Sequence, residues 1–383
     1  MNRLYIVFFT VCISILLTKN ALSFPKIQID EEKDIEFIQM IQVFNTTSLN
    51  SIRNDTLIRR GRLGVQGHIK KYINYRVWFA YDNIGKDGNT KLIGLAQNTD
   101  NSNFSLFDAY FTWELFPQIA NISFGYFRPQ IGRENITSAF EVNSLEKAIT
   151  NFYIRPHLVG RANGRETGLN FGGLYLGEFW SLNYNFGFFD LNHEKITGGT
   201  NDSKNGSKLW SPLLSSRVSF TLGEPEMKNY KLGYNINYFG KRKGITFGLN
   251  YANQGNTDLF KNNSTLGFDL LANYNNFNFD AEYDVLNRNK NDSTSYSDYI
   301  FHLRAGYNFN ITENWILEPV IMYSQALIDQ KSTLGLPSEN QIDIGLNWYI
   351  DKNNMKLGTH YIKRQESNKQ SNDMLNFSCQ FIY

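Results

Sequence analysis

A two-residue alternation of apolar and polar side chains runs from one end of this chain to the other, and any fold must satisfy it. The last nine residues show it plainly. Leu375, Phe377, Cys379, Phe381 and Tyr383 fall on one face of a strand, with Asn376, Ser378 and Gln380 on the other. Ile73, Tyr75, Val77, Phe79 and Tyr81 alternate in the same way with Asn74, Arg76, Trp78, Ala80 and Asp82. So do Phe277, Phe279, Ala281, Tyr283 and Val285 with Asn278, Asp280, Glu282 and Asp284. One such strand would suit a soluble sandwich equally well. The number of strands, their uniformity and their aromatic content favour an all-β transmembrane antiparallel barrel, in which lipid and lumen take alternate residues.

Composition agrees. Aromatic residues make up 15% of the 383, yet the mean hydropathy is −0.40. The chain is too polar for a helical membrane protein and too aromatic for a disordered one. A formal net charge of +2 gives no case for nucleic acid. Asn2-Arg3, the apolar run Leu4 to Leu17 and the small residues at Ala21-Leu22-Ser23 read as a signal peptide over 1–23, cut near Ser23. A short periplasmic segment over 24–34 and a barrel over 35–383 follow. Cys12 leaves with the signal and Cys379 falls in the lipid-facing row, so no disulfide forms within the mature chain.

Counting alternating runs from Ile35 gives seventeen, but both ends of such a barrel belong in the periplasm, which requires an even number. Short links (Lys70-Lys71, Phe116-Pro117, Gly177-Glu178, Asn275-Asn276, Asp351 to Asn354) interleave with long polar ones, as periplasmic turns do with external loops. The interleaving breaks only at Asn229 to Gly240. That run is therefore assigned to a long periplasmic connection, roughly 224–243. Sixteen strands remain, closed by pairing near Ile35–Phe44 with Leu375–Tyr383.

The link over 131–165 is too long for an ordinary surface loop. Its Phe140, Val142, Leu145, Ala148, Ile149, Phe152, Tyr153 and Ile154 are too many apolar groups to leave in water. Folding it into the lumen buries them and narrows the pore; an external cap packed on neighbouring loops is the alternative. Here a family resemblance enters. Arg59-Arg60-Gly61-Arg62-Leu63 resembles the second-strand motif of the phosphate-selective porin O and P family. Gly125-Tyr126-Phe127-Arg128-Pro129 with Gly132, Glu134 and Thr137-Ser138 is similar to the start of that family's constriction loop. Glu146-Lys147 and Gly164-Arg165-Glu166-Thr167-Gly168 resemble the loop's middle and exit. The terminal aromatic Tyr383 also resembles the assembly signal of bacterial outer-membrane proteins. The resemblance implies a sixteen-strand channel in the outer membrane of a Gram-negative bacterium, surrounded by lipid and commonly homotrimeric. It implies passive diffusion of small hydrophilic solutes and ions, with loop three folded into the lumen and a preference for phosphate or other anions.

Turning each polar face inward gives two charged sectors. Arg60, Arg62, His68 and Arg76 form a basic wall on strands two and three. Asp269, Asp280, Glu282 and Asp284 form an acidic wall on strands eleven and twelve of the sequence count. Loop residues Arg133, Lys147, Arg155, Arg161 and Arg165 are candidates for an anion-binding constriction between the walls. Arginine suits oxyanions because its planar fork donates to two oxygens at once. The five histidines show no metal spacing, no nucleophile elbow is present, and no cofactor or catalytic residue is expected. Two other readings stay open: a structural or adhesive barrel without transport, and a barrel hydrolase with catalytic groups drawn from separate strands.

Overall fold

The computed structural model describes residues 26–383 apart from 52, 88–89, 91–103, 117, 162, 192–195, 198–199, 202–208 and 313–314; the expected signal segment lies outside the described residues. The alternation becomes sixteen antiparallel strands. They are β1 (Asp34–Ser48), β2 (Arg53–Lys70), β3 (Ile73–Ala80), β4 (Ser105–Phe116), β5 (Ala120–Phe127), β6 (Glu166–Leu176), β7 (Trp180–Phe189) and β8 (Leu213–Gly223). The second half comprises β9 (Gly244–Gln254), β10 (Phe260–Tyr274), β11 (Phe277–Lys290), β12 (Ser295–Tyr307), β13 (Ile316–Leu327), β14 (Glu339–Asp351), β15 (Met355–Glu366) and β16 (Asn372–Ile382). Each pairs with its sequence neighbours, and β1 pairs with β16 from Met40 opposite Ile382 to Ser48 opposite Met374. Gln39 and Tyr383 exchange backbone bonds of 2.8 and 3.0 Å, so the last residue belongs to the seam. A short strand, Lys26–Gln28, adds to the start of β1, and Phe309–Asn310 extends the pairing along β13.

Facing follows the period. On β9, Ile245, Phe247, Leu249 and Tyr251 are exposed on the outside, while Thr246, Asn250 and Ala252 are buried inside. Cys379 lies in the outward row between Val43 and Leu357, yet it is buried among its neighbours rather than bare to lipid.

Residues 224–243 form no strand, as the parity of the ends required. The acidic strands are therefore β10 and β11, one earlier than the sequence count placed them, because 229–240 takes no place in the wall. The sequence did not reveal where this connection goes. Met227 and Tyr234 are buried with Ile136 of loop three, Tyr230 packing against them, and Ile236 is buried with Val142 of the same loop. Tyr230 and Tyr234 donate to Asn185 and Asn183 on β7, both at 2.6 Å, which satisfies phenols that burial would otherwise strand. The connection thus folds into the lumen against loop three.

Loop three itself runs inside the barrel. It carries α1 (Arg133–Ile136) and α2 (Ile149–Val159), and every residue of α2 is buried. Ile131, Ile149, Phe152, Tyr153, Ile154, Leu158 and Val159 pack on Leu213, Ala252, Leu286, Ile300 and Ala326 of the inner wall. Seven such side chains contribute on the order of 10 kcal/mol of gross burial, a gain an external cap exposed to water would forfeit. Gly160, at φ 67°, ends α2 in the left-handed region. The carbonyl of His157 near that end accepts from Asn263 (2.8 Å) on β10 and Arg288 (3.1 Å) on β11.

Candidate functional site in the lumen

The basic sector begins with a departure from alternation. Pairing of β1 with β2 slips between Gln42–Arg60 and Val43–Ile58, leaving Arg59 as an extra residue. A bulge re-aims one side chain, so Arg59 and Arg60 both point inward and both bind Glu146 of loop three. Burial opposes ionisation of Glu146, but the two guanidinium groups overcome it and hold its carboxyl below the ordinary range. A second slip falls between β3 and β4, where Trp78 faces Asp108 and Phe79 faces Leu106. The extra residue is Phe107. Its ring lies 3.8 Å from the Arg62 guanidinium and 3.3 Å from that of Arg165. Arg62 pairs with Asp82, and Arg165 with Asp108 at 2.8 Å.

These residues line a cavity of about 460 Å³ between β2–β4, loop three and the tip of the 224–243 connection. Nine cationic side chains reach it, among them Arg76, Arg128, Arg155 and Lys231, against three carboxylates, Asp82, Asp108 and Glu141. Among the described residues Arg76 has no carboxylate in ion-pair range and lies over the Trp78 ring at 4.1 Å. Arg155 donates to the Asn135 side chain (3.1 Å), and Arg128 to the Asn135 carbonyl (2.6 Å). Lys147 donates to backbone oxygens of Glu134 and Asn135 and to the Asn151 side chain. Burial, then the charges of Arg128 and Arg155, push the Lys147 ammonium well below its ordinary value. Gly164, at φ 67°, lets the Arg155 stem pass; a Cβ there would lie 2.5 Å from Arg155 Cγ.

The acidic sector is built differently. Asp269 holds Arg217 and Arg133, and Arg133 also forks onto Glu226 of the inward connection at 2.7 and 2.8 Å. Asp280 accepts from His302 (2.8 Å), and Arg304 bridges toward Glu134 of α1 (2.9 Å). Glu282 accepts the Glu134 backbone N–H at 2.8 Å. Glu134, Asp280 and His302 bring three ligand atoms within 4.8 Å of one another, a spacing a metal could use. Arg304 already supplies the positive charge there.

Of the sequence candidates, Arg60, Arg62, Arg76, Lys147, Arg155 and Arg165 come together on one cavity. Arg133 does not; it is sealed into the acidic side. Arg161 lies at the loop's exit, 3.7 Å from Glu166, and His68 bonds Asp34 (2.9 Å) near the end of β2. Asp269, Asp280, Glu282 and Asp284 are covered by loop three and do not face the cavity, so the two walls do not oppose each other across open water. Alternation missed Arg59, Phe107 and Lys231. The pair Arg59-Arg60 carried a signal, because strict alternation would set one arginine in lipid at a cost of about 2–4 kcal/mol near the midplane.

The sequence profile of phosphate-selective porin O and P matches residues 38–383. The chain belongs to that family. It is an outer-membrane porin of Gram-negative type, a channel built as a closed sixteen-strand barrel. Among curated proteins none matches it as a relative. Solved structures it resembles include OmpF of Salmonella typhi in complex with daunomycin (14% identity, TM-score 0.59, covering 94% of this chain and all of that one). An anion-selective porin from Comamonas acidovorans gives 12% and 0.58, over 92% of this porin and 100% of that chain. A trimer form of OmpT from Vibrio cholerae gives 8% and 0.50, over 92% and 100%. At these identities the likeness is one of fold.

Proposed function

We propose that this porin lets small hydrophilic solutes and ions diffuse passively through the outer membrane, with a preference for anions. One observation carries the reading: cations outnumber carboxylates nine to three along the cavity, while the acidic wall is covered beneath loop three, its Asp269 and Asp280 paired with arginines and a histidine. An anion entering meets guanidinium forks already fixed by aromatic rings and by loop three, and so meets little cost of reorganisation. A cation meets uncompensated positive charge strengthened by the surrounding low-dielectric wall. Arg76 and Arg155 are the residues we assign to anion contact, with Lys147, Arg62, Arg60 and Arg165 setting the field around them. A homotrimer embedded in lipid, exported by a signal peptide cut near Ser23, completes the reading; the family and the trimer form of OmpT support the assembly.

The test is reversal potential in a planar bilayer under a KCl gradient, repeated with added phosphate. Anion reversal supports the reading, and phosphate block of chloride current would narrow it to oxyanions. Zero conductance would favour a structural or adhesive barrel instead.

A further inference from the structure

Under loop three, charge accounting leaves a remainder. Asp269 and Glu226 are answered by Arg133 and Arg217, and Asp280 and Glu134 by Arg304 and His302. Glu282 and Asp284, 2% and 0% exposed, have no cationic partner among the described residues. Burying two such carboxylates uncompensated is strongly unfavourable. The atoms around them are also unpartnered. Both oxygens of Asp284, Glu282 Oε1 and both amide atoms of Asn250 make no well-formed hydrogen bond, although Asp284 abuts both Glu282 and Asn250.

Geometry explains why these groups converge. Asn250, Gly267 and Asp284 are in register across β9, β10 and β11. With no side chain at Gly267, the two tips lean over it: a Cβ there would fall 1.8 Å from Asp284 Oδ1 and 2.7 and 2.8 Å from Asn250 Nδ2 and Oδ1, an amide whose two ends can exchange by a flip. Glu282 stands two residues along the same face of β11, in register with Asp269 and His302. The other charged groups facing the spot, Arg217 and His302, are engaged by Asp269 and Asp280.

From this arrangement we infer a binding site for one hard divalent cation, of the calcium type, held by Asp284, Glu282 Oε1 and Asn250 Oδ1. Oxygen donors only, two of them carboxylates, suit such an ion, and its two charges match the two left over. Glu282 also holds the Glu134 backbone N–H, so the ion staples loop three to the wall. The site is separate from the Glu134–Asp280–His302 group, where Arg304 serves. It is also independent of the proposed anion preference.

The experiment is calorimetric titration of CaCl2 into the full-length, chelator-stripped porin in detergent. Expected is one site per chain, weakened at least about tenfold in Asp284→Asn and in Gly267→Ala, which fills the space without removing a charge. His302→Gln should bind as the unaltered porin does. No calcium binding by the unaltered porin overturns the inference and leaves Glu282 and Asp284 to share a proton. Undiminished binding in folded Gly267→Ala overturns it too. Loss in His302→Gln alone would move the ion to the Glu134 group and contradict the assignment.

Discussion

The basic and acidic sectors of this barrel obey the same alternation and have met opposite fates. On β2–β4, cations stand in excess around open space, steadied by the rings of Phe107 and Trp78 and by Asp82, Asp108 and the loop-three carboxylate Glu146. On β10–β12, Asp269, Asp280, Glu282 and Asp284 are covered by loop three, and Asp269 and Asp280 are bound to Arg133, Arg217, Arg304 and His302. A charged wall in a porin is therefore not necessarily a pore wall. On the proposed reading, one sector serves as the anchor that holds loop three down, and the other keeps the passage that the loop leaves open.

If that division holds, the largest effect should come from a cation that lies on the loop yet works for the acidic side. Arg133→Ala removes the shared partner of Asp269 and Glu226 and should cost about 3–5 kcal/mol, since it leaves the buried Glu226 carboxylate uncompensated and Asp269 with Arg217 alone. Urea unfolding in detergent reads the loss. In bilayers the variant should show noisier, larger conductance as loop three and the 224–243 connection part, with little change in charge preference. A large selectivity shift with quiet conductance would break the comparison.

Gly164→Ala sharpens it from the other side. The residue sits in the left-handed region, where a side chain costs roughly 1–2 kcal/mol, and its Cβ would displace Arg155. Anion preference should weaken although no charge is altered. A smaller effect concerns pH. Lys147 is held well below its ordinary value by burial and by neighbouring cations. Deprotonation removes its charge, so anion preference should decline as pH rises, and sooner than an ordinary lysine would allow. Reversal potentials across an alkaline series check this, with Lys147→Met expected to flatten the curve.

Much of the wall was legible because period two leaves few choices: the strands and the seam at Tyr383 follow from it, the parity of the ends reduces the count to sixteen, and the length and apolar content of 131–165 favour an inward loop. The site was half legible. Arg60, Arg62, Arg76, Lys147, Arg155 and Arg165 were found because polar residues on a strand or an inward loop must face the lumen. Arg133 was misplaced because sequence gives the side of the barrel but not the angular position at which a loop side chain lands. Arg59 and Phe107 were hidden by bulges, which shift facing by one residue within an otherwise regular strand. The inward course of 224–243 depends on Tyr230, Tyr234 and Ile236 finding partners on distant strands, and no local pattern encodes that.

The division between the sectors is tested most directly by comparing reversal potentials of three chains under one KCl gradient at low salt, where screening is weakest. They are the unaltered porin, the double variant Arg76→Gln/Arg155→Gln, and Asp280→Asn. The unaltered channel should reverse toward anions. The arginine variant should lose about 1 kcal/mol of preference per charge, roughly a fivefold fall in permeability ratio for each. Asp280→Asn should keep the unaltered reversal potential, because its carboxylate never faces the passing ion. If Asp280→Asn instead strengthens anion preference by as much as the arginine variant weakens it, the acidic wall lines the passage and the account is wrong.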